Sequence, residues 1–311
     1  MKQFLDRNIR LFFSQQYLAS EYQFDTTRKA GWIADFLHVS PITGVELAEP
    51  VPLIVEEIAT VHDMAYIVAV QTGQPPHLAQ SQGFTWDPCL FPAVCASNGG
   101  MVAAGLEALQ YGISGSLSSG LHHARRDRGG GYCTFNGLVL AAHRALLVGA
   151  KSVLILDLDA HCGGGTASLI EGLAGVRQVD VSVSRFDGYE GKTNSTLELV
   201  DMAEAYLPTI EHCLNRVVLQ PPDLVIYNAG MDPFEGCSTG GLAGINEEML
   251  RERERMVFST FYKQGIPLAF ALAGGYVGQG LSQERLVDLH RLTIEAAASA
   301  AAMPWNKAGA L

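Results

Sequence analysis

No two cysteines in this 311-residue chain are spaced as CxxC, and the six present (Cys89, Cys95, Cys133, Cys162, Cys213 and Cys237) are too sparse for a disulfide framework. Reduced thiols in a cytoplasmic setting are expected. No apolar run reaches the ~18 residues that a membrane span requires. The opening stretch MKQFLDRNIRLFFSQQ mixes charge with short apolar pieces, so it lacks the unbroken core and small-residue cleavage site of a signal peptide. Positive charge is also scarce: 21 Lys and Arg stand against 32 Asp and Glu, a net charge of -11. Neutralising phosphates needs the opposite surplus, so direct binding of nucleic acid is not expected. Internal repeats, low-complexity tracts and linkers are missing too, and one domain over residues 1–311 is the simplest organisation.

What is there reads as an ordinary globular composition, 48% hydrophobic and 17% charged, long enough for a substantial core. The 33 glycines carry no collagen-like period and gather in runs such as Gly129–Gly131 and Gly163–Gly165, where backbone must approach something closely. Apolar, β-branched runs of strand length occur at Val153–Leu156, Val179–Val183, Leu224–Tyr227 and Leu268–Leu272, with a strand-like stretch at Ile113–Leu117. Between them lie helix candidates at Gly137–Val148, Leu197–Val218, Asn246–Lys263 and Ser282–Ala301. That alternation predicts an α/β fold with a mainly parallel sheet covered by helices. The proline-bearing stretch Gln71–Pro92 reads as a long surface loop, part of a site rim.

The most informative segment is VLILDLDAHCGGGT, residues 153–166, where an apolar strand ends in Asp157, Asp159 and His161. In extended backbone, residues two apart point the same way, so these side chains project together at the carboxyl end of a strand, where open α/β sheets place their ligands. Two neighbouring buried carboxylates need a cation or donors, and carboxylate with imidazole suits zinc. A third ligand is offered by Asp232, just past the apolar run in LVIYNAGMD. The adjacent His122 and His123 can act as acid and base near neutrality, and Tyr276, on the glycine turn of LAGGYVG, can donate a hydrogen bond to a developing oxyanion. Each feature alone also has an ordinary structural reading: a salt-bridged strand end, a turn-forming aspartate, solvated loop histidines, a tyrosine packed on the core.

In this order, LHHARRDRGGGYCTFN, DLDAHCGGGT, YNAGMDPFEGCSTGGL and LAGGYVG resemble the histone deacetylase family of the arginase/deacetylase fold, from about Asp63 onward and nearer its class IV branch than class I. The resemblance implies a three-layer α/β/α architecture and one Zn2+ per chain held by Asp159, His161 and Asp232. It implies His123 as general base, His122 as its protonated neighbour, Tyr276 polarising the carbonyl, and Asp157 buttressing His122 and helping to hold a structural K+ near Ser182 and Val183. Gly131 and Tyr132 match positions lining a narrow acyl-lysine channel, with Tyr189 as a facing aromatic wall and Asp87 at the rim. The implied substrate is an acyl-lysine protein or peptide, or an acylated small amine, carrying acetyl or a longer fatty acyl group. Acidic net charge suits a basic peptide. Oligomeric state is left open.

Two departures stand out. Cys162 and Gly164 occupy positions where the family usually carries a second histidine and then Asn or Asp, so His123 is expected to lack its orienting partner, and Cys162 is a candidate for redox sensitivity. The family's early histidines are absent too, only FDTTRK standing at Phe24–Lys29. Of the rival readings, a dinuclear manganese ureohydrolase needs two further aspartates where this chain has Gly163 and Phe234. A catalytically silent acyl-peptide binder draws its weight from the absent partner, and the kept ligands, histidines and tyrosine weigh against it.

Overall fold

The computed structural model describes residues 8–20 and 24–305; residues 1–7, part of the stretch weighed as a signal peptide, lie outside the described residues. Among those described, eight strands form one sheet: β1 (Ile9–Phe12), β2 (Val45–Ala48), β3 (Ile113–Ser116), β4 (Val153–Asp157), β5 (Val176–Ser182), β6 (Ser195–Leu199), β7 (Leu224–Gly230) and β8 (Leu268–Ala273). Their order across the sheet is β2-β1-β3-β8-β7-β4-β5-β6, and every pairing is parallel. β3, β4, β7 and β8 are buried at every position, as expected of strands covered on both faces.

Side-chain alternation divides the core into two layers. Leu154 and Leu156 of β4 with Val225 and Tyr227 of β7 join an apolar cluster with the helices Asp25–Val39, Ala203–Val218, Glu247–Lys263 and Gln283–Ala301. Val153, Ile155, Leu224 and Ile226 face the other way, into a cluster with the helices Leu90–Tyr111 and Gly137–Leu147. The result is the expected three-layer α/β/α arrangement. No described helix is long and apolar enough to cross a membrane.

Two expectations need correction. The helix expected over Leu197–Val218 starts at Ala203, because Ser195–Leu199 pairs along β5 and completes the sheet as β6. Ladder hydrogen bonds there override a helical composition that extends too far toward the amino terminus. The stretch Gln71–Pro92 is not loop throughout: it holds a helical turn at Pro76–Ala79 and the start of the helix Leu90–Tyr111.

One buried charge ties the helical layer to the strand that matters most. Arg253, fully buried, donates to the carbonyl of Leu158 (3.2 Å), to the Tyr206 hydroxyl (3.0 Å) and to Glu254 (2.8 Å). It thereby holds the chain where it leaves β4. Truncating one partner of a buried pair strands the other, so Arg253→Met is expected to cost about 3–5 kcal/mol in chemical denaturation, with the double variant Arg253→Met/Glu254→Gln losing less. Equal losses in both would show that the pair is not the source.

Candidate active site

Loops leaving the carboxyl ends of β3, β4, β5, β7 and β8 meet over the middle of the sheet, where a strand from early in the chain, β3, is inserted beside β8. The loop after β3 carries His122 and His123, and the fully buried Asn136 fixes it. Its Nδ2 donates to the carbonyls of His122 (3.3 Å) and Ala124 (3.4 Å), while its Oδ1 accepts from the Val139 N–H (3.1 Å) and caps the helix Gly137–Leu147. Among the described residues, the non-glycine residues at positive φ are Leu121 (60°), Tyr132 (62°) and Asp187 (59°). Leu121 precedes the histidine pair, and Tyr132 and Asp187 follow residues packed against it, so this backbone strain collects at one place.

Asp159, His161 and Asp232 each bring a ligand atom within 4.8 Å of the other two, all buried. His161 Nδ1 lies 3.1 Å from Asp159 Oδ1 and 3.0 Å from Asp232 Oδ2. Asp232 Oδ1 accepts from the Ala160 N–H (3.0 Å), but its buried Oδ2 has only the His161 ring nitrogen near it and makes no well-formed hydrogen bond. An unsatisfied carboxylate oxygen facing a second carboxylate and an imidazole is what a divalent cation would satisfy, and the donor set suits zinc. Asp157 stays apart from this group. Its Oδ2 accepts from His122 Nδ1 (2.8 Å) and its Oδ1 from Asn228 Nδ2 (2.8 Å) and the Asp159 N–H (3.2 Å).

The two histidines are set unlike each other by their surroundings. Burial pushes His122 down, but the charges of Asp157 and Asp159 outweigh it and lift the imidazole to about 10. Burial together with the neighbouring His122 charge drops His123 to about 4, against the hydrogen bond it donates to Asp187. The Nε2 atoms of the pair are 3.1 Å apart. Burial and the Asp159 charge raise Asp232 to about 6. Burial also works to raise Asp159, yet the His122 charge and the His161 hydrogen bond leave it well below the usual carboxylate range.

The structure corrects one expectation directly: His123 has an orienting partner. Its Nδ1 lies 2.9 Å from Oδ2 of Asp187, in the loop after β5, and Arg125 Nη2 is 2.6 Å from the other oxygen. Two aromatics follow β5 in this region. Phe186 stands edge-on to His123 (5.0 Å) and His161 (5.8 Å), whereas Tyr189 turns its hydroxyl to the carbonyl of Thr196 on β6 (3.1 Å). Asp87 accepts from the Cys89 N–H (2.8 Å) beside the start of the helix Leu90–Tyr111.

On the other side, Gly131 is pressed on His123, where an added Cβ would come within 2.4 Å of the ring, and Tyr132 packs on Phe24 (4.2 Å) and Phe84 (5.1 Å). Tyr276 follows β8 with its ring 5.5 Å from that of Phe24. Sequence reasoning passed over Phe24 and the fully buried Lys29, whose Nζ donates to the Gly274 carbonyl (2.8 Å). Burial lowers this amine to about 8 although Asp159 and Asp232 attract its charge. The only available sign was a lysine and an aromatic in a segment with no motif of its own. Asp187 borders the site because β5 lies beside β4, a strand order that the sequence does not display.

The Histone deacetylase domain model matches residues 24–290. An uncharacterized protein of Picosynechococcus is 32% identical over 222 residues, covering 70% of this chain and 74% of its own. Histone deacetylase 2 of Arabidopsis thaliana is 31% identical over 58% of this chain, a match spanning about half of that protein (48%). The solved acetylpolyamine aminohydrolase of Burkholderia pseudomallei superposes with a TM-score of 0.75 over 93% of this chain and 98% of its own at 16% identity, a likeness of fold.

Gly274 shows how tightly the site is closed. At φ +54°, its added Cβ would meet Asp232 Oδ1 at 2.2 Å and Asp159 Oδ2 at 2.9 Å. Gly274→Ala is therefore expected to lower stability by about 1–3 kcal/mol from backbone strain alone, with a further loss from displaced carboxylates. Thermal unfolding checks this, and an unchanged midpoint would mean that the loop has room to spare.

Proposed function

The chain belongs to the histone deacetylase family, a family of hydrolases, and from that premise we propose that it is a zinc-dependent amidohydrolase that removes acetyl or a longer acyl group from a lysine side chain or a related amine. One observation carries the reading: two carboxylates and an imidazole converge with their ligand atoms within 4.8 Å, in a buried setting beside a histidine pair. Asp159, His161 and Asp232 are the residues that would hold the ion. When bound, zinc supplies Lewis acidity toward an amide carbonyl and lowers the pKa of water.

The chain's own residues divide the remaining work. His123 takes a proton from the attacking water at Nε2, its low basicity matching a group that is neutral before the reaction. His122, held by Asp157 and carrying charge, offers an Nε2 proton next to it and helps return one to the departing amine. Tyr276 donates its hydroxyl hydrogen bond to the carbonyl oxygen as negative charge develops there. Gly131, Tyr132 and the ring of Phe186 line the approach of an extended alkyl chain and keep water from it.

A mononuclear centre follows from Gly163 and Phe234 standing where a dinuclear site needs two further aspartates. A structural K+ near Asp157 belongs to the proposal as well: Asp157 and Asp180 are both fully buried, and Gln178 Oε1 beside them lacks a donor. The partner of His123 removes the main ground for a silent binder. Residues 1–311 acting as one catalytic domain, in a cytoplasmic setting, complete the reading.

Asp159→Ala and His161→Ala are expected to abolish zinc retention and turnover of fluorogenic acyl-lysine peptides. Tyr276→Phe should lower kcat by about 100- to 1,000-fold with little change in KM. Full activity in chelator-stripped protein would sink the scheme. A panel of acetyl to long-chain acyl peptides, run beside acetylated polyamines, identifies the acyl group and the amine.

A further inference from the structure

We propose that Asp187 is the positioning residue for His123, reaching it from the loop after β5, and that Gly164 is the space through which it does so. The inference rests on His123 being the base of the proposed reaction. Asp187 is not a loose surface carboxylate: its side chain is 13% exposed and its backbone is held left-handed. Its Oδ2 accepts from His123 Nδ1 (2.9 Å), the Gly165 N–H (3.1 Å) and Arg125 Nη1 (3.3 Å), and its Oδ1 from Arg125 Nη2 (2.6 Å). A surface ion pair with Arg125 would need neither the strained backbone nor the bond to Gly165.

Gly164 and Asp187 form one device. A Cβ at residue 164 would come within 2.3 Å of the Asp187 carbonyl oxygen and 2.8 Å of Asp187 Oδ1. Any side chain there would push the loop off the histidine. The position that the sequence marks as lacking an orienting group is thus the position that must be bare for the substitute to enter.

Proton counting gives the function. Asp157, His122, His123 and Asp187 form a chain through Oδ2–Nδ1, Nε2–Nε2 and Nδ1–Oδ2 contacts of 2.8, 3.1 and 2.9 Å. Ionised carboxylates only accept, so both Nδ1 atoms carry hydrogen, and the Nε2–Nε2 contact has room for one more. With Asp187 in place, His123 must keep its lone pair at Nε2, the atom that faces the reaction. Without it, the ring is free to place hydrogen on Nε2 and lose its capacity as a base.

Asp187→Asn tests this, because Arg125 will claim the amide oxygen and turn the NH2 toward His123 Nδ1. The zinc-loaded variant is expected to lose about 10- to 100-fold in kcat with KM and metal content held, and Gly164→Ala should fall in the same direction. Arg125→Met, which keeps the His123 contact, should lose less; a loss equal to that of Asp187→Asn would reduce Asp187 to an arginine partner and overturn the proposal. Independently of turnover, 15N–1H correlation of histidine-labelled protein, assigned with His123→Gln, should show hydrogen on His123 Nδ1 in the parent and a changed tautomer in Asp187→Asn. An unchanged tautomer, or kcat within about twofold of the parent, overturns the assignment. A parent without any hydrolysis would instead sink the catalytic reading and leave the tautomer to decide on Asp187.

Discussion

Four aspartates, Asp157, Asp159, Asp180 and Asp232, are buried together at the ends of three neighbouring strands, and that concentration of negative charge is the constraint on which the site depends. Each needs compensation in a medium that screens poorly. Asp157 has His122 and Asn228, Asp180 has the Gly163 N–H and Ser182, and Asp159 and Asp232 share His161. The rest follows from supplying those partners: Arg253 anchors the chain beyond β4, Lys29 is held at the Gly274 carbonyl where Asp159 and Asp232 attract its charge, and glycines clear the space for close approach.

The same constraint explains why two chemically identical side chains behave differently. His122 faces two carboxylates that raise its basicity; burial, and after it the charge of His122, lowers that of His123. Their difference arises from burial and from where the surrounding charges lie, and Asn136 pins the loop that carries both. Neighbouring groups with basicities pushed apart are a recurrent route to acid and base chemistry at one pH.

Much of this was legible in the sequence because it is local. Valine- and isoleucine-rich runs ending in Asp and His gave β4 and its ligand-bearing end, and the four motifs pointed to the family and to a parallel sheet. What escaped depended on pairing between distant segments. β6 looked helical because nothing near Ser195–Leu199 reveals that β5 has an open edge. Tyr189 was the visible aromatic, whereas the ring that stands edge-on to His123 is that of Phe186. Gly164 read as a loss because the residue replacing its function lies 23 positions on, in a stretch, SRFDG, that resembles a plain turn.

The rim has a separate origin from the floor. Phe24, Phe84, Tyr132 and Phe186 come from four different loops, whereas the acids of the candidate ion site sit at strand ends. Substitutions in those loops can therefore widen, narrow or re-angle the entrance while the reactive floor keeps its geometry. A scaffold divided in this way can change its diet without relearning its chemistry.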